Sequence, residues 1–211
     1  MAIYLDSASL DDARRALALG FVAGVTTNPN LVAATGRRGR DVLADLLALG
    51  DGPVFCQVTA PTVEGRAEQA REISQLSPER VIVKIPATTE NIALASELSC
   101  EGVRCCITAV SSPAQAYLAA QAGADFVAPY VNRLTRQMGD GLSVVRRIAA
   151  LLAGTSTRIL AASLKSVEEV TEVLLAGAHD VTMPLDLILA LGEHEYSALA
   201  IEQFNAHGDI L

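Results

Sequence analysis

The stretch Gln121-Ala-Gly-Ala-Asp-Phe-Val127 holds the end of a helix-forming segment, a glycine and the start of a β-rich segment. Related stretches are Leu-Gly-Phe-Val-Ala-Gly-Val at 19–25 and Leu-Ala-Gly-Ala-His-Asp-Val at 175–181. A glycine just after a helix adopts the left-handed backbone conformation that ends the helix. The three stretches therefore predict helix-to-strand junctions in a unit that repeats along the chain.

Around these junctions, short apolar runs alternate with helical stretches. Eight runs predict strands: Ile3–Leu5, Val22–Val25, Val54–Val58, Val81–Ile85, Arg104–Ala109, Asp125–Tyr130, Arg158–Ala162 and Asp180–Met183. The helical stretches include Leu10–Leu19, Glu64–Gln75, Glu90–Ser99, Pro113–Ala122, Leu142–Leu152 and Val167–Leu175. Apolar strands joined by single helices are typical of a parallel sheet covered by helices. Eight such units predict an α/β fold, a (β/α)8 TIM barrel, with a doubly wound sheet as the alternative.

The length and composition predict one domain. The chain has 211 residues, of which 51% are hydrophobic and 19% are charged, and this suits a single well-buried core. We expect residues 1–211 to form one barrel, followed at 193–206 by an extra C-terminal helix. Such a helix packs on its own barrel or takes part in contacts with a neighbouring copy, and the sequence leaves both open.

The charge of the chain argues against two classes of partner. The formal net charge is -8 and the isoelectric point is near 4.9, so no basic face is expected for nucleic acid or for an anionic membrane. The two longest charge-free stretches contain proline and polar residues, and neither predicts a membrane span. A small anionic substrate remains possible, because a few local Arg and Lys side chains are enough to bind it.

Cysteine and histidine usage suggests a reduced protein without a metal. The four cysteines form no C-x-x-C pair: Cys56, Cys100, Cys105 and Cys106. The three histidines lack the spacing of metal ligands: His179, His194 and His207. The first residues contain no secretory signal pattern, so we expect a cytoplasmic protein.

In a (β/α)8 barrel, reactive residues lie at the carboxyl ends of the strands and in the loops that follow. Polar residues are conspicuous at these positions. They are Asp6, Thr26, Asn28, Gln57, Thr59, Lys84, Thr108, Tyr130, Arg133, Ser163 and Lys165.

Lys84 is the most informative of these residues, because it interrupts the apolar run Val81-Ile82-Val83-Lys84-Ile85-Pro86. Burial disfavours the ammonium form of a lysine, and a neutral amine can add to a ketone to give an iminium that accepts electrons from the adjacent carbon. This chemistry suits retro-aldol cleavage. The alternative is a lysine that reaches past the strand end to pair with Asp6 or a phosphate. Asp6 is then either a proton-handling carboxylate or a structural counter-ion.

The other candidates also have two interpretations. Tyr130 can donate its hydroxyl to a substrate or activate a water, or it can fill the barrel as an aromatic side chain. Arg133 and Lys165 can clamp a phosphate, with Ser163 as a neutral donor, or they can be solvated. Cys106 belongs to a vicinal pair on a buried strand, which indicates small apolar filler and no catalytic role.

Five motifs, in order and at strand ends, resemble the small-subunit transaldolase family over essentially the whole chain. They are Tyr4-Leu5-Asp6, Gly24-Val25-Thr26-Thr27-Asn28-Pro29, Val83-Lys84-Ile85-Pro86, Ala128-Pro129-Tyr130-Val131-Asn132-Arg133 and Ala161-Ala162-Ser163. The resemblance implies that Lys84 is the Schiff-base lysine and that neither a metal nor an organic cofactor is used. It also implies a homo-oligomer, a decamer of two five-membered rings or a pentamer, with the terminal helix reaching a neighbour.

The family contains transaldolases and fructose-6-phosphate aldolases, and this sequence departs from the transaldolase pattern at three positions. Transaldolases carry a glutamate at Gln57, a phenylalanine at Tyr130 and an asparagine at Cys106. An amide is not a carboxylate base, whereas a phenol can hold a proton that a phenyl ring cannot. The resemblance is therefore closest to fructose-6-phosphate aldolase.

The resemblance also implies roles for the remaining candidates. By this resemblance, Asp6, Gln57, Thr108 and Tyr130 would position or protonate the catalytic water. Asn28 and Ser163 would contact sugar hydroxyls, and Thr26 would also bind the substrate. Arg133 and Lys165 would hold the phosphate. We expect reversible cleavage of fructose 6-phosphate to dihydroxyacetone and glyceraldehyde 3-phosphate, with short ketones and aldehydes as substrates. The alternatives are a transaldolase that passes the dihydroxyacetone unit to erythrose 4-phosphate, a non-catalytic sugar-phosphate-binding barrel and a metal-dependent aldolase, whose clustered ligands the sequence lacks.

Overall fold

The computed structural model describes residues 1–206; His207 and the end of the expected domain at 211 lie outside the described residues. Eight strands form a closed barrel in which every strand is parallel to its neighbours and β1 pairs with β8. They are β1 Ala2–Asp6, β2 Val22–Thr26, β3 Val54–Gln57, β4 Val81–Pro86, β5 Cys105–Val110, β6 Phe126–Pro129, β7 Arg158–Ala161 and β8 Asp180–Met183. The predicted TIM barrel is confirmed, and the doubly wound alternative is wrong.

Helices connect the strands and cover the outside of the barrel. They are α1 Leu10–Ala18, α2 Pro29–Ala34, α3 Gly39–Ala48, α4 Val63–Ser74, α5 Thr89–Cys100, α6 Pro113–Gln121, α7 Val131–Met138, α8 Gly141–Leu152, α9 Val167–Leu175, α10 Leu185–Ala190 and α11 Glu195–Ala206. The six helical stretches expected within the barrel match α1, α4, α5, α6, α8 and α9 to within one residue at each end. The helices α2, α3, α7 and α10 were not predicted.

The glycine junctions are confirmed. Gly20, Gly123 and Gly177 have φ angles of 79°, 78° and 100°, in the left-handed region that suits a residue without Cβ. Many helices begin after a short polar side chain that accepts a hydrogen bond from the first turn: Ser9, Thr62, Thr88, Ser112, Asp140 and Ser166. The sequence thus specifies both the starts and the ends of most connecting helices.

The inside of the barrel changes from apolar to polar along the strands. Side chains two residues apart on a strand share a face. The amino-terminal part is filled by one apolar cluster: Tyr4, Phe55, Ile82, Cys106, Phe126, Ala128 and Leu160. Phe55 makes edge contacts with Tyr4 and Phe126, with ring centroids 5.3 and 5.1 Å apart. Two residues further along, the same strand faces carry Asp6, Gln57, Lys84, Thr108 and Tyr130, so the polar groups rest on an apolar floor.

Charged side chains close the amino-terminal end of the barrel. Asp180 is fully buried and accepts two hydrogen bonds from the Arg158 guanidinium, at 2.7 and 2.6 Å. It also accepts one from the backbone N–H of Ala2 at 2.8 Å. A buried carboxylate is tolerated when it is paired in this way. These contacts close the amino-terminal end of the barrel, and the candidate site lies at the opposite end.

The expected C-terminal helix is present as α11, but none of its residues is buried. Four large apolar side chains of this helix are more than half exposed: Tyr196, Leu199, Ile201 and Phe204. The helix therefore does not add to the core of its own barrel. No helix within residues 1–206 has the length and apolar character needed to cross a membrane.

Candidate active site

One cavity of about 550 Å³ opens at the carboxyl ends of the strands. All ten catalytic and substrate-binding candidates line it: Asp6, Thr26, Asn28, Gln57, Lys84, Thr108, Tyr130, Arg133, Ser163 and Lys165. They come from positions far apart in the chain, and the parallel barrel brings them to one end. The arrangement is observed, whereas the role of each residue stays a prediction.

Thr59 is the polar strand-end residue that does not join this cavity. It lies beyond the end of β3, is exposed, and its backbone N–H donates to Gln69 Oε1 at 2.9 Å. It lines a separate space of about 310 Å³ together with Cys56. The sequence predicted a strand over Val54–Val58 with Thr59 at its end, but the strand ends at Gln57, so Thr59 lies two residues beyond it.

Lys84 lies at the bottom of the cavity and is only 6% exposed. Its Nζ donates to the carbonyl oxygen of Thr27 at 2.7 Å, and the Thr27 hydroxyl donates to the carbonyl of Phe55 at 2.8 Å. None of the ion pairs within 4 Å in residues 1–206 includes Lys84. The alternative of a direct ion pair between Lys84 and Asp6 is therefore not observed, and the amine is held by a neutral acceptor.

Asp6 belongs to a chain of hydroxyl groups. The Thr26 hydroxyl donates to Asp6 Oδ1 at 3.0 Å and lies 2.7 Å from the hydroxyl of Thr182. Because Thr26 has one hydroxyl proton and Asp6 accepts it, Thr182 is the donor to Thr26. Burial raises the pKa of Asp6 above its ordinary value, and this effect outweighs the charge of Lys84 and the Thr26 hydrogen bond, which lower it. The carboxyl group therefore holds a proton more readily than an exposed aspartate does.

Thr182 was missed in the sequence. It lines the cavity and is buried. A signal was present, because Thr182 stands two residues after Asp180 on the last strand, so both face the inside of the barrel. A threonine in an apolar strand is not chemically distinctive, so the spacing alone does not indicate a site residue at the end of β8.

Tyr130 faces the cavity and is not part of the apolar cluster. Its hydroxyl lies 2.9 Å from the hydroxyl of Thr108, and the Arg133 guanidinium carbon lies 4.8 Å from the centre of its ring. A cation at this distance over an aromatic face is an attractive contact. The phenol is therefore fixed at both its ring and its oxygen, and the interpretation of Tyr130 as a barrel-filling side chain does not describe its position.

Arg133 and Lys165 lie at the rim of the cavity, on exposed residues of α7 and of the loop after β7. No carboxylate lies within 4 Å of either charge in the part of the chain that the structure describes. Ser163, in the same loop, has a φ of 62°, and Ala109, which lies on β5 and also lines the cavity, has a φ of 55°. Left-handed backbone is uncommon outside glycine and collects at functional sites. The rim thus presents two cations that an anionic ligand can reach.

Three amide side chains also line the cavity, those of Asn28, Asn30 and Gln57. Asn28 Oδ1 caps α2 by accepting from the N–H groups of Asn30 and Leu31, both at 3.1 Å, which leaves its Nδ2 for a ligand. No protein group within residues 1–206 hydrogen-bonds the side chain of Gln57, which is half-buried at the end of β3. Together with the amine and hydroxyl groups, these amides make a cavity suited to a polyhydroxylated carbonyl compound.

Comparisons with known proteins agree with the geometry. A family model described as Transaldolase/Fructose-6-phosphate aldolase matches residues 3–209. The chain is similar to a "Probable transaldolase" of Heliobacterium modesticaldum, with 37% identity over 97% of this chain and 95% of that protein. A "Probable transaldolase" of Symbiobacterium thermophilum is 38% identical over the same shares. A solved structure of inosine 5' monophosphate dehydrogenase from Legionella pneumophila superposes with a TM-score of 0.62 at 16% identity, covering 89% of this chain and 58% of that one, and supports the fold alone.

Proposed function

Because this chain belongs to the transaldolase/fructose-6-phosphate aldolase family, we propose that it is a class I aldolase that reversibly cleaves fructose 6-phosphate to dihydroxyacetone and glyceraldehyde 3-phosphate through a Schiff base on Lys84. The observation that carries the proposal is the environment of Lys84. Its amine is buried, has no carboxylate within 4 Å among residues 1–206 and faces a cavity whose rim holds two cations.

The first step is addition of Lys84 Nζ to the ketone carbon of the open-chain sugar. The addition product loses water, and the resulting iminium withdraws electrons from the neighbouring carbon. The Thr27 carbonyl, 2.7 Å from Nζ, orients the amine before the attack. The hydroxyl chain from Thr182 through Thr26 to Asp6 lies in the same cavity and supplies groups that exchange protons with the substrate.

The second step breaks the bond between the third and fourth carbons. Asp6 accepts the proton of the fourth-carbon hydroxyl, the aldehyde leaves, and the electron pair of the broken bond moves into an enamine. A proton then adds to the third carbon, which regenerates the iminium. Water attacks the iminium and frees both Lys84 and dihydroxyacetone. The Tyr130 and Thr108 hydroxyls, 2.9 Å apart, and the Gln57 amide are the groups we assign to that water.

The phosphate of the substrate is assigned to Arg133 and Lys165. Both are cations without a carboxylate within 4 Å in the described residues, and both reach the rim of the cavity. Guanidinium and ammonium groups are strong donors to phosphate oxygens. A phosphate at the rim would leave the ketone end of the sugar directed toward Lys84.

A second candidate is transaldolase activity, in which erythrose 4-phosphate and not water receives the three-carbon unit. The names of these relatives support this activity more directly than they support an aldolase. Gln57 and the phenol of Tyr130 favour hydrolytic release, because they differ from the glutamate and phenylalanine of the transaldolase pattern. The two activities share every step up to the enamine, so the acceptor requirement separates them.

The test is release of glyceraldehyde 3-phosphate from fructose 6-phosphate by purified, chelator-treated protein, with and without erythrose 4-phosphate. We expect release without the acceptor. Release that requires the acceptor would identify a transaldolase, and no release in either condition would contradict both activities and favour a binding role or another substrate.

We also propose that the chain forms a homo-oligomer through α11. The support is the exposure of its large apolar side chains, of which Tyr196 is 70% and Phe204 is 73% exposed. Apolar patches of this kind are typical of protein interfaces.

A further inference from the structure

The carboxylate of Glu169, on α9, joins the two segments that carry the rim cations. Its Oε1 accepts a hydrogen bond from Asn132 Nδ2 at 2.6 Å, and its Oε2 accepts one from the backbone N–H of Lys165 at 2.7 Å. Asn132 is next in sequence to Arg133 on α7. One side chain therefore holds the residue beside the first cation and the backbone of the second.

The two segments also meet through their backbones, but these bonds involve residues that precede Arg133 and Lys165 in the sequence. Val131 N–H donates to the carbonyl of Ala162 at 2.9 Å, and Asn132 N–H donates to the carbonyl of Ser163 at 3.3 Å. The second bond is long for an N–H···O bond, and Ser163 has the left-handed backbone at which the loop turns away. Beyond this turn, Glu169 provides the link between α7 and the loop.

The chemistry of the link requires a carboxylate. Both donors are N–H groups, so both oxygens of Glu169 must accept. A glutamine at this position has one oxygen and one NH2 group, and its NH2 group would face a donor. The cations themselves are not neutralised, because no ion pair within 4 Å joins Glu169 to Arg133 or Lys165 in the described part of the chain. The link fixes the segments and leaves both charges for a ligand.

We propose that Glu169 is a positioning residue that sets the separation of Arg133 and Lys165, and that it thereby determines the preference for phosphorylated over unphosphorylated sugars. This inference rests on the proposed function, which assigns the phosphate to those two cations. Glu169 lies outside the cavity lining, and its loss should weaken binding of the phosphate group without affecting the rest of the sugar.

The test compares Glu169→Gln with Glu168→Gln, which removes the neighbouring exposed carboxylate in the same turn of α9. Schiff-base formation is followed by borohydride trapping as a function of the concentration of fructose 6-phosphate or of fructose, so the measurement does not depend on the fate of the enamine. Loss of a charge-assisted link is expected to raise the half-saturating concentration of fructose 6-phosphate roughly five- to tenfold. The value for fructose and the maximal trapping rates should stay close to those of the wild type, and Glu168→Gln should match the wild type for both sugars.

The outcomes separate this inference from the proposed function. Equal use of the two sugars by the wild-type protein would overturn the phosphate role of Arg133 and Lys165, and the role of Glu169 with it. A wild-type preference for fructose 6-phosphate that survives Glu169→Gln, or a variant that weakens both sugars equally, would overturn the role of Glu169 alone. If circular dichroism shows that Glu169→Gln is unfolded, Asn132→Ala, which removes only the amide arm of the link, takes its place with the same criteria.

Discussion

Lys84 is one of only two lysines in the chain, the other being Lys165. This allows the nucleophile to be identified without ambiguity among many amines. Reduction with borohydride in the presence of fructose 6-phosphate should add the mass of the substrate-derived adduct to the peptide that contains Lys84. Lys84→Met should abolish the label, because a thioether forms no iminium. Label that appears on Lys165 or on the terminal amine, with Lys84 unmodified, would contradict the proposed mechanism.

Tyr130 is assigned to the water that ends the reaction, not to the formation of the Schiff base. Tyr130→Phe removes the hydroxyl that lies 2.9 Å from Thr108, so the release of free dihydroxyacetone should fall by about 10²-fold, while borohydride trapping on Lys84 changes little. Tyr117→Phe, on α6 and 47% exposed, is the matched control. Equal losses of trapping and release would remove Tyr130 from water activation.

The buried surroundings of Asp6 disfavour its ionised form, so the stability of the fold should depend on pH through this residue. Burial raises the pKa of Asp6 above 3.8 in the folded protein. The protonated carboxyl therefore stabilises the fold below pH 3.8, and this stabilisation is lost as the pH rises through the folded-state pKa. Asp6→Asn removes the titration and should raise the melting temperature relative to wild type at pH 7, with the gain disappearing below pH 3.8, whereas turnover should fall by about 10²- to 10⁴-fold.

The control for Asp6 is Asp51→Asn, which removes an exposed carboxylate from a loop outside the cavity. It should leave turnover unchanged and should not show the gain in melting temperature at pH 7. Thermal unfolding followed across the pH range provides the measurement. A lower melting temperature of Asp6→Asn at pH 7 would show that the pairing with Thr26 outweighs the cost of burial.

At the residue level, the sequence predicted the groups with distinctive chemistry that line the cavity and missed two residues that hydrogen-bond next to them, Thr182 and Glu169. Lys84 was recognisable because an ammonium group is costly in an apolar strand. Thr182 and Glu169 gave no such signal. A threonine is common in strands and a glutamate is common in the first turn of a helix, so only their partners in space, Thr26 and Lys165, make them informative.

At the scale of the elements, the helices with clear start and stop residues were the predictable ones. The α2 and α7 segments follow strands at Asn28-Pro29 and Tyr130, where the sequence resembled functional loops. Both begin directly at the cavity. The α3 segment has buried apolar residues at Val42, Leu43 and Leu46, but its start after Arg38 has no side-chain cap of the kind that marks the start of a helix. The short helices next to the site were therefore not predicted, because the residues at their starts resemble those of functional loops.

The strand β5 carries two cysteines whose reactivity tests the packing of the barrel. Cys105 and Cys106 are fully buried, and burial raises the pKa of each thiol to about 12. Burial also raises the pKa of the half-buried Cys56. Because the thiolate is the reactive form, the native protein should show one fast thiol with a disulfide reagent, from the exposed Cys100 at the end of α5.

Unfolding in guanidinium should expose all four thiols to the same reagent. The variant Cys100→Ser should lose the fast phase and keep the three slow thiols. Fast labelling of Cys105 or Cys106 in the native protein would mean that β5 opens on the time scale of the reaction. It would also contradict the interpretation of this pair as packing residues.

For the whole molecule, closure of the barrel converts eight separate strand ends into one site. The alternation of eight apolar strands with single helices predicted this closure, because such connections make neighbouring strands parallel, and all eight strands are parallel in the barrel. Nothing in the repeat predicted where α11 packs. A helix that follows the eighth unit has no further strand to cover, so its apolar residues do not indicate which surface receives them.

The exposed residues of α11 provide the last prediction. Ile201 and Phe204 are 58% and 73% exposed, and the wild-type protein should bury them by self-association, with a mass in solution that is a multiple of 22.1 kDa. The double variant Ile201→Glu and Phe204→Glu should give smaller species by light scattering while it keeps the circular dichroism of the barrel, since neither side chain contributes to the core.

Leu175→Glu, at a 77% exposed position on α9, tests whether any added surface charge has the same effect and should leave the mass unchanged. A monomeric wild-type protein would contradict the proposed role of α11, and it would leave the apolar surface of this helix for a different partner.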